Sequence, residues 1–214
     1  MKTKHHSKYL LFFAAMFLGL AMTASPAWAQ RRPVLRVEVD DIEINETRTP
    51  SFGESSHRRA RGRPANDWLQ FVAKLTTEGA PNEWLDELTI HWHVLMVSER
   101  RGETRRLYFQ TSTTYIDIKD DSDHYAAVYI RPDTLVRYFD ERRSPRPRDM
   151  LVYVEVRANN VPVAEKTHNP GRMNVPDDWQ RSPRLERIES GLLAPNKTPF
   201  QWIDYEFYMT LKPE

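Results

Sequence analysis

His91 and His93 stand two residues apart in a segment whose apolar residues alternate. On a strand such a pair points the same way, so both imidazoles could hold one metal ion if His57, His124, His168 or an acid supplied a third ligand. No spacing demands that ligand, and the simpler reading is two polar residues on the exposed face of an amphipathic strand. Asp120-Asp121-Ser122-Asp123 offers hard oxygen atoms to calcium, but it lacks the glycine turn and regular alternation of a calcium loop and reads as a solvated turn. Nucleophilic chemistry has little to build on: there is no cysteine, no Gly-x-Ser-x-Gly elbow and no glycine-rich phosphate loop. The expectation is a protein that is not an enzyme and carries no metal or other cofactor. A metal-dependent hydrolase at His91 and His93 is the catalytic alternative.

Binding finds more material. His57-Arg58-Arg59-Ala60-Arg61-Gly62-Arg63 and Arg142-Arg143-Ser144-Pro145-Arg146-Pro147-Arg148 both fall in stretches that read as loops. Guanidinium groups fork onto carboxylate, sulfate or phosphate, so these loops could contact an acidic glycan, lipopolysaccharide phosphates or an acidic protein. No aromatic residue interleaves either run, which argues against base stacking. Trp179, set in the polar stretch Asp177-Asp178-Trp179-Gln180, either staples the C-terminal segment to the body or anchors a partner. The candidate binding residues are thus Arg58, Arg59, Arg61, Arg142, Arg143 and Trp179. The other tryptophans sit among apolar alternation and read as core or sheet-edge residues.

These groups are presented by a chain that carries an export signal. Lys2, Lys4 and Lys8 precede an uncharged run from Leu10 to Met22, and Ala27-Trp28-Ala29 closes it with the small-x-small pattern of signal-peptidase cleavage. The apolar run falls short of the roughly 20 residues of a membrane anchor. Residues 1–29 are expected to be removed, leaving 30–214 as one domain with no further membrane-spanning segment and no lipidated cysteine. Of 31 basic and 30 acidic residues the leader takes three lysines, so the remainder is close to neutral and nucleic-acid binding is not expected.

The elements that would position the candidates are strands. Leu35, Val37 and Val39 alternate, then Ile42 and Ile44 continue out of phase, which places a β-bulge or bend at Asp40-Asp41. Further strands are expected at Leu69–Leu75, Leu88–Met96, Leu107–Phe109, Tyr115–Ile118, Ala126–Ile130, Met150–Val156, from Val161 to Thr167, and at Ile203–Leu211. Gly102 turns one hairpin, Asn159-Asn160 another, and Pro162 marks the Val161 strand as an edge. Pro132 starts one or two helical turns, and a second short helix is expected around Leu185, Ile188 and Leu192. Long strand-free loops are expected at 47–66 and 168–199. The sum is an all-β, immunoglobulin-like sandwich with one or two short helices and Trp92 buried in the third strand, a closed barrel being the rival.

With its leader, cysteine-free strands, Trp strand and tail Thr198-Pro199-Phe200-Gln201-Trp202-Ile203-Asp204-Tyr205, the chain resembles small exported immunoglobulin-like proteins associated with type IV pilus-type systems of Gram-negative bacteria. The resemblance implies a structural or protein-interaction role in the periplasm or on the outer cell surface, with envelope or pilus-type proteins as partners. No prepilin cleavage with a retained apolar helix is present, which implies an accessory protein rather than a filament subunit. A module for acidic glycans, bound through the arginine loops, is the second functional reading.

Overall fold

A computed structural model describes residues 36–50, 67–79, 84–100, 102–120, 122–139, 145–203 and 206–213. All of them belong to one compact unit, Pro33–Glu214. The leader, the arginine run 57–63 and Arg142 and Arg143 lie outside the described residues.

Among the described residues nine strands form two sheets. They are β1 (Arg36–Arg48), β2 (Asp67–Glu78), β3 (Trp84–Arg100), β4 (Glu103–Lys119), β5 (Ser122–Ile130), β6 (Met150–Ala158), β7 (Val161–His168), β8 (Glu186–Ile188) and β9 (Leu192–Leu193). One sheet has the order β1-β2-β5-β9 and the other β7-β6-β3-β4-β8. Among the described strands none is shared between the sheets, so the architecture is a sandwich and the barrel alternative is set aside. One α-helix, α1 (Pro132–Tyr138), follows β5 with Pro132 in its first turn. Ser98 Oγ and Arg100 donate to the Tyr138 and Arg137 carbonyls, fixing the end of α1 to the end of β3. Among the described residues no helix is long and apolar enough to cross a membrane.

The period-two pattern explains the core. Val37, Val39 and Ile42 of β1, Phe71, Ala73 and Leu75 of β2, and Leu88, Ile90, Trp92, Val94 and Met96 of β3 all point between the sheets and are buried. The β1–β2 register slips between Val39 and Asp41, the bulge that the phase change at Asp40-Asp41 predicts. Trp92 is fully buried and its Nε1 donates to Thr113 Oγ1 at 3.1 Å, so the largest core side chain leaves no polar atom unpaired. Asn159 and Asn160 take φ of 51° and 64°, the left-handed pair of a type I′ turn, and Gly102 takes 82°.

Three expectations are corrected. Leu107–Phe109 and Tyr115–Ile118 belong to one strand, the 17-residue β4, with the interruption in their pattern at Asp117, whose φ is 54°. The Leu185–Leu192 segment is not helical. Ile188 sits in β8, parallel to β4, and Leu192 in β9, antiparallel to β5, so the 168–199 connection contains two strands and crosses from one sheet to the other. Helical spacing lost here to sheet-edge pairing, helped by Ser190 at φ 54° and by Gly191, where a Cβ would stand 2.6 Å from the Phe109 ring. The expected Ile203–Leu211 strand is also absent. A 3-10 turn, Pro199–Trp202, precedes it, started by Thr198 Oγ1 accepting from Phe200 N at 3.1 Å. Among the described residues beyond it only single bridges form, Tyr208 to Tyr125 and Leu211 to Tyr115.

Candidate functional site

His91 and His93 do share a face: the outer face of the β7-β6-β3-β4-β8 sheet. In register, His91 lies between Ser112 of β4 and Glu155 of β6, and His93 between Gln110 and Tyr153. Each ring is already engaged. His91 Nδ1 is 2.7 Å from Ser112 Oγ, and His93 Nδ1 is 2.6 Å from the Tyr108 hydroxyl. Tyr108 lies parallel to His93 at 6.0 Å between centroids, and Tyr153 flanks it at 5.6 Å. Burial pushes the His93 imidazolium down to about 4, and His91 and Arg187 push the same way while Glu155 opposes. Burial, then Arg157, also lowers His91. Both rings are therefore neutral at physiological pH, the form a metal would need.

Among the described residues no group of three His, Asp or Glu converges on one point, however. Glu155, the acid nearest in register, is held by Arg157 Nε. The Ser112–His91 pair was not visible from sequence, because the two lie 21 residues apart and meet only through the β3–β4 register. No hydrogen bond from His91 to a carboxylate orients it as a general base would be oriented.

Trp179 is placed over the same face. Its segment, the 3-10 turn Trp179–Arg181, packs on the sheet with Trp179 only 5% exposed against Leu95, Tyr108 and Leu151. Its ring meets Tyr108 edge-on at 5.6 Å, and Arg187 lies over the Tyr108 ring at 4.9 Å while donating to the Gln180 carbonyl. Trp179 thus spends its ring on fastening the C-terminal segment, and no face of it is left for a partner.

The exposed aromatic surface lies elsewhere. Trp68 and Trp92 are buried, but Trp84 and Trp202 are not, contrary to a reading of the tryptophans as core or edge residues. Trp202 and Phe207 stand out from the C-terminal segment beside a cavity of about 550 Å³. The sequence signal for this was Pro195 and Pro199 beside Trp202, since prolines break the alternation that would have turned the ring inward.

The connections are distributed unevenly between the two ends of the sandwich. The β1–β2 connection runs from Arg48 to Asp67, the β3–β4 hairpin turns after Arg100, and the β5–β6 connection runs from Ile130 to Met150. The antiparallel registers put all three at one end. The described ends of the two connections that contain the arginine runs therefore lie at that end; residues 57–63, 142 and 143 themselves lie outside the described set.

A protein-family model matches residues 29–214. The chain belongs to that family. Among solved structures it is similar to a protein from Akkermansia muciniphila, at 21% identity and a TM-score of 0.69, over 86% of this chain and 96% of that one. The likeness shows a common fold. Spo0M, a sporulation control protein from Bacillus subtilis, matches at 9% identity and a TM-score of 0.25, over 63% of this chain and 47% of that one. No curated protein matches in sequence.

Proposed function

We propose that the protein is a non-enzymatic, exported component of the Gram-negative cell envelope, with an immunoglobulin-like sandwich that serves protein interaction, accessory to a type IV pilus-type assembly. The strand order supports the immunoglobulin-like reading. β1, β2 and β5 stand where strands A, B and E stand in such domains, and β4, β3, β6 and β7 where C′, C, F and G stand. β9 occupies the place of strand D beside β5. Export is supported by the start of the family match at residue 29, at the expected Ala29–Gln30 cleavage point.

The observation that carries the interaction reading is the edge of β7, which has no ladder partner beyond β6 among the described residues, although β1 packs near it and Lys166 Nζ donates to the Asp40 carbonyl at 2.7 Å. Among the described residues β7 pairs with β6 alone, and Val161 at its start is 61% exposed. Pro162 and the register slip beside Val163 spoil the ladder at that end, so an added strand would run along Ala164–His168. Export is tested by fractionating cells and sequencing the N-terminus of the extracytoplasmic protein. A start at Gln30, with pilus or envelope-assembly proteins recovered after crosslinking in intact cells, is expected. An uncleaved cytoplasmic protein would contradict the reading.

The second reading, an acidic-glycan module, is favoured by the anchoring of both arginine runs at one end. Binding that weakens steeply with salt and is lost on Arg-to-Ala change at 58, 59, 61, 142 and 143 is its expected signature. Unchanged binding in that variant would remove it.

A further inference from the structure

The last residues of the chain, 194–213, shape two clefts that meet. The first, about 550 Å³, is walled by Tyr129, Phe200, Trp202, Tyr208, Met209 and Lys212. Its floor is rigid. Phe200 stacks on Tyr129 at 4.6 Å with planes 4° apart, and Trp68 meets both rings edge-on. Gln70 Nε2 donates to the Tyr129 hydroxyl at 3.0 Å and to the Tyr208 hydroxyl at 2.9 Å. At the rim Trp202 is 72% exposed.

The second cleft, about 420 Å³, lies along the edge of β4 over Thr111, Ser112, Thr113 and Thr114. The two clefts share Asn196, Leu211, Lys212 and Pro213. Among the described residues no carboxylate lines either of them. One half is thus aromatic and the other carries hydroxyl groups. Those of Ser112, Thr113 and Thr114 each hold one partner already, His91, Trp92 and Thr89 respectively, and keep their remaining donor or acceptor capacity. The halves are joined by an amide and a cation. At that joint Asn196 Oδ1 is shielded from solvent and accepts no hydrogen bond among the described residues.

We propose that the joined clefts bind an oligosaccharide, one sugar ring lying on the Trp202 rim and the next over the β4 hydroxyls. A pyranose has C–H faces that pack on aromatic rings and a girdle of hydroxyl groups that need partners, and the two halves supply one each. An extended peptide fits less well. The unpaired edge of β4 is closed on one side by β8 at Leu107–Phe109. It is closed on the other by the tail, where Lys212 N donates to Thr114 O at 2.8 Å and Ile116 N to Thr210 O at 2.9 Å. The open length between is about 13 Å, four residues of strand, with no exit for a chain running through. This site is separate from the β7 edge and from the arginine loops, so it stands or falls independently of them.

The test is titration of the purified protein with cellohexaose, maltohexaose, chitohexaose and oligogalacturonate, followed by tryptophan emission and calorimetry. Saturable binding of at least one is expected, weakened about tenfold in Trp202→Ala, the size of one lost ring contact. Because Trp202 is exposed, that variant keeps its fold, which circular dichroism verifies, and Gln201→Ala provides a second change in the wall of the cleft. No binding of any of the four sugars at about 10 mM, or binding indifferent to Trp202→Ala, would overturn the proposal. Saturable binding of a threonine- and valine-rich strand-forming peptide, lost in Trp202→Ala while no sugar binds, would assign the clefts to a protein partner and overturn it equally.

Discussion

The His93 imidazole and the Tyr108 ring lie parallel, and His93 Nδ1 meets the Tyr108 hydroxyl at 2.6 Å. Tyr108 gives its single proton to Gln110 Oε1 at 2.9 Å, so the proton between His93 and Tyr108 sits on Nδ1. A neutral His93 is thereby fixed in one tautomer between two tyrosines.

Stability should consequently depend on pH with a definite sign. The folded-state value for His93 is about 4, below the 6.5 of a free imidazole, because burial disfavours the charged ring. Between those values the unfolded chain binds the extra proton, so stability is full above about pH 6.5 and falls as pH drops toward about 4. His91 and His124 are lowered as well, mainly by burial, and add in the same direction. Urea unfolding across this window should show the decline, and His93→Gln should flatten it by about one proton. A slope unchanged in His93→Gln would remove His93 as its source.

Trp179 is the clamp of the 169–188 segment. Trp179→Ala should cost about 3 kcal/mol and expose the segment to protease, while the two sheets keep their far-ultraviolet signature. Cleavage at the wild-type rate would show that Arg187 on Tyr108, with its bond to the Gln180 carbonyl, holds the segment without the tryptophan.

Gly191 marks where the chain passes from one sheet to the other. A Cβ there would stand 2.6 Å from Phe109 Cδ1 and 3.0 Å from Ile188 Cγ2. Gly191→Ala should destabilise by about 1–3 kcal/mol, and by less in a Phe109→Leu background, where the ring edge is gone. Equal costs in the two backgrounds would contradict a clash with Phe109.

Most of the sandwich was legible because a half-buried strand writes its pleat into the sequence. Val37 and Val39 followed by Ile42 gave both β1 and its bulge, and Asn159-Asn160 gave a turn that needs two positive φ values. What escaped was decided by partners distant in the chain. Leu185, Ile188 and Leu192 are spaced for a helix, but Ile188 finds the edge of β4 and Leu192 that of β5. Phe207 alternates with Met209 and Leu211 as a strand would, yet it stacks on Tyr125 from outside. The His pair was located correctly on one face, but its Ser112 and Tyr108 partners depend on the β3–β4 register, which alternation alone does not number. Of the binding candidates only Trp179 lies in the described part of the fold, and its neighbours Leu95 and Leu151 explain its burial better than its polar sequence setting did.

The central claim is that this sandwich works by joining an envelope partner at the edge of β7. The most direct measurement places a photocrosslinking residue at Glu165, on that edge, and at Glu78 at the far end of β2, then irradiates intact cells. Adducts with a pilus-type or envelope-assembly protein from position 165, and none from 78, are the predicted result. Adducts from 78 alone, or from neither position while the protein is exported and folded, would contradict it.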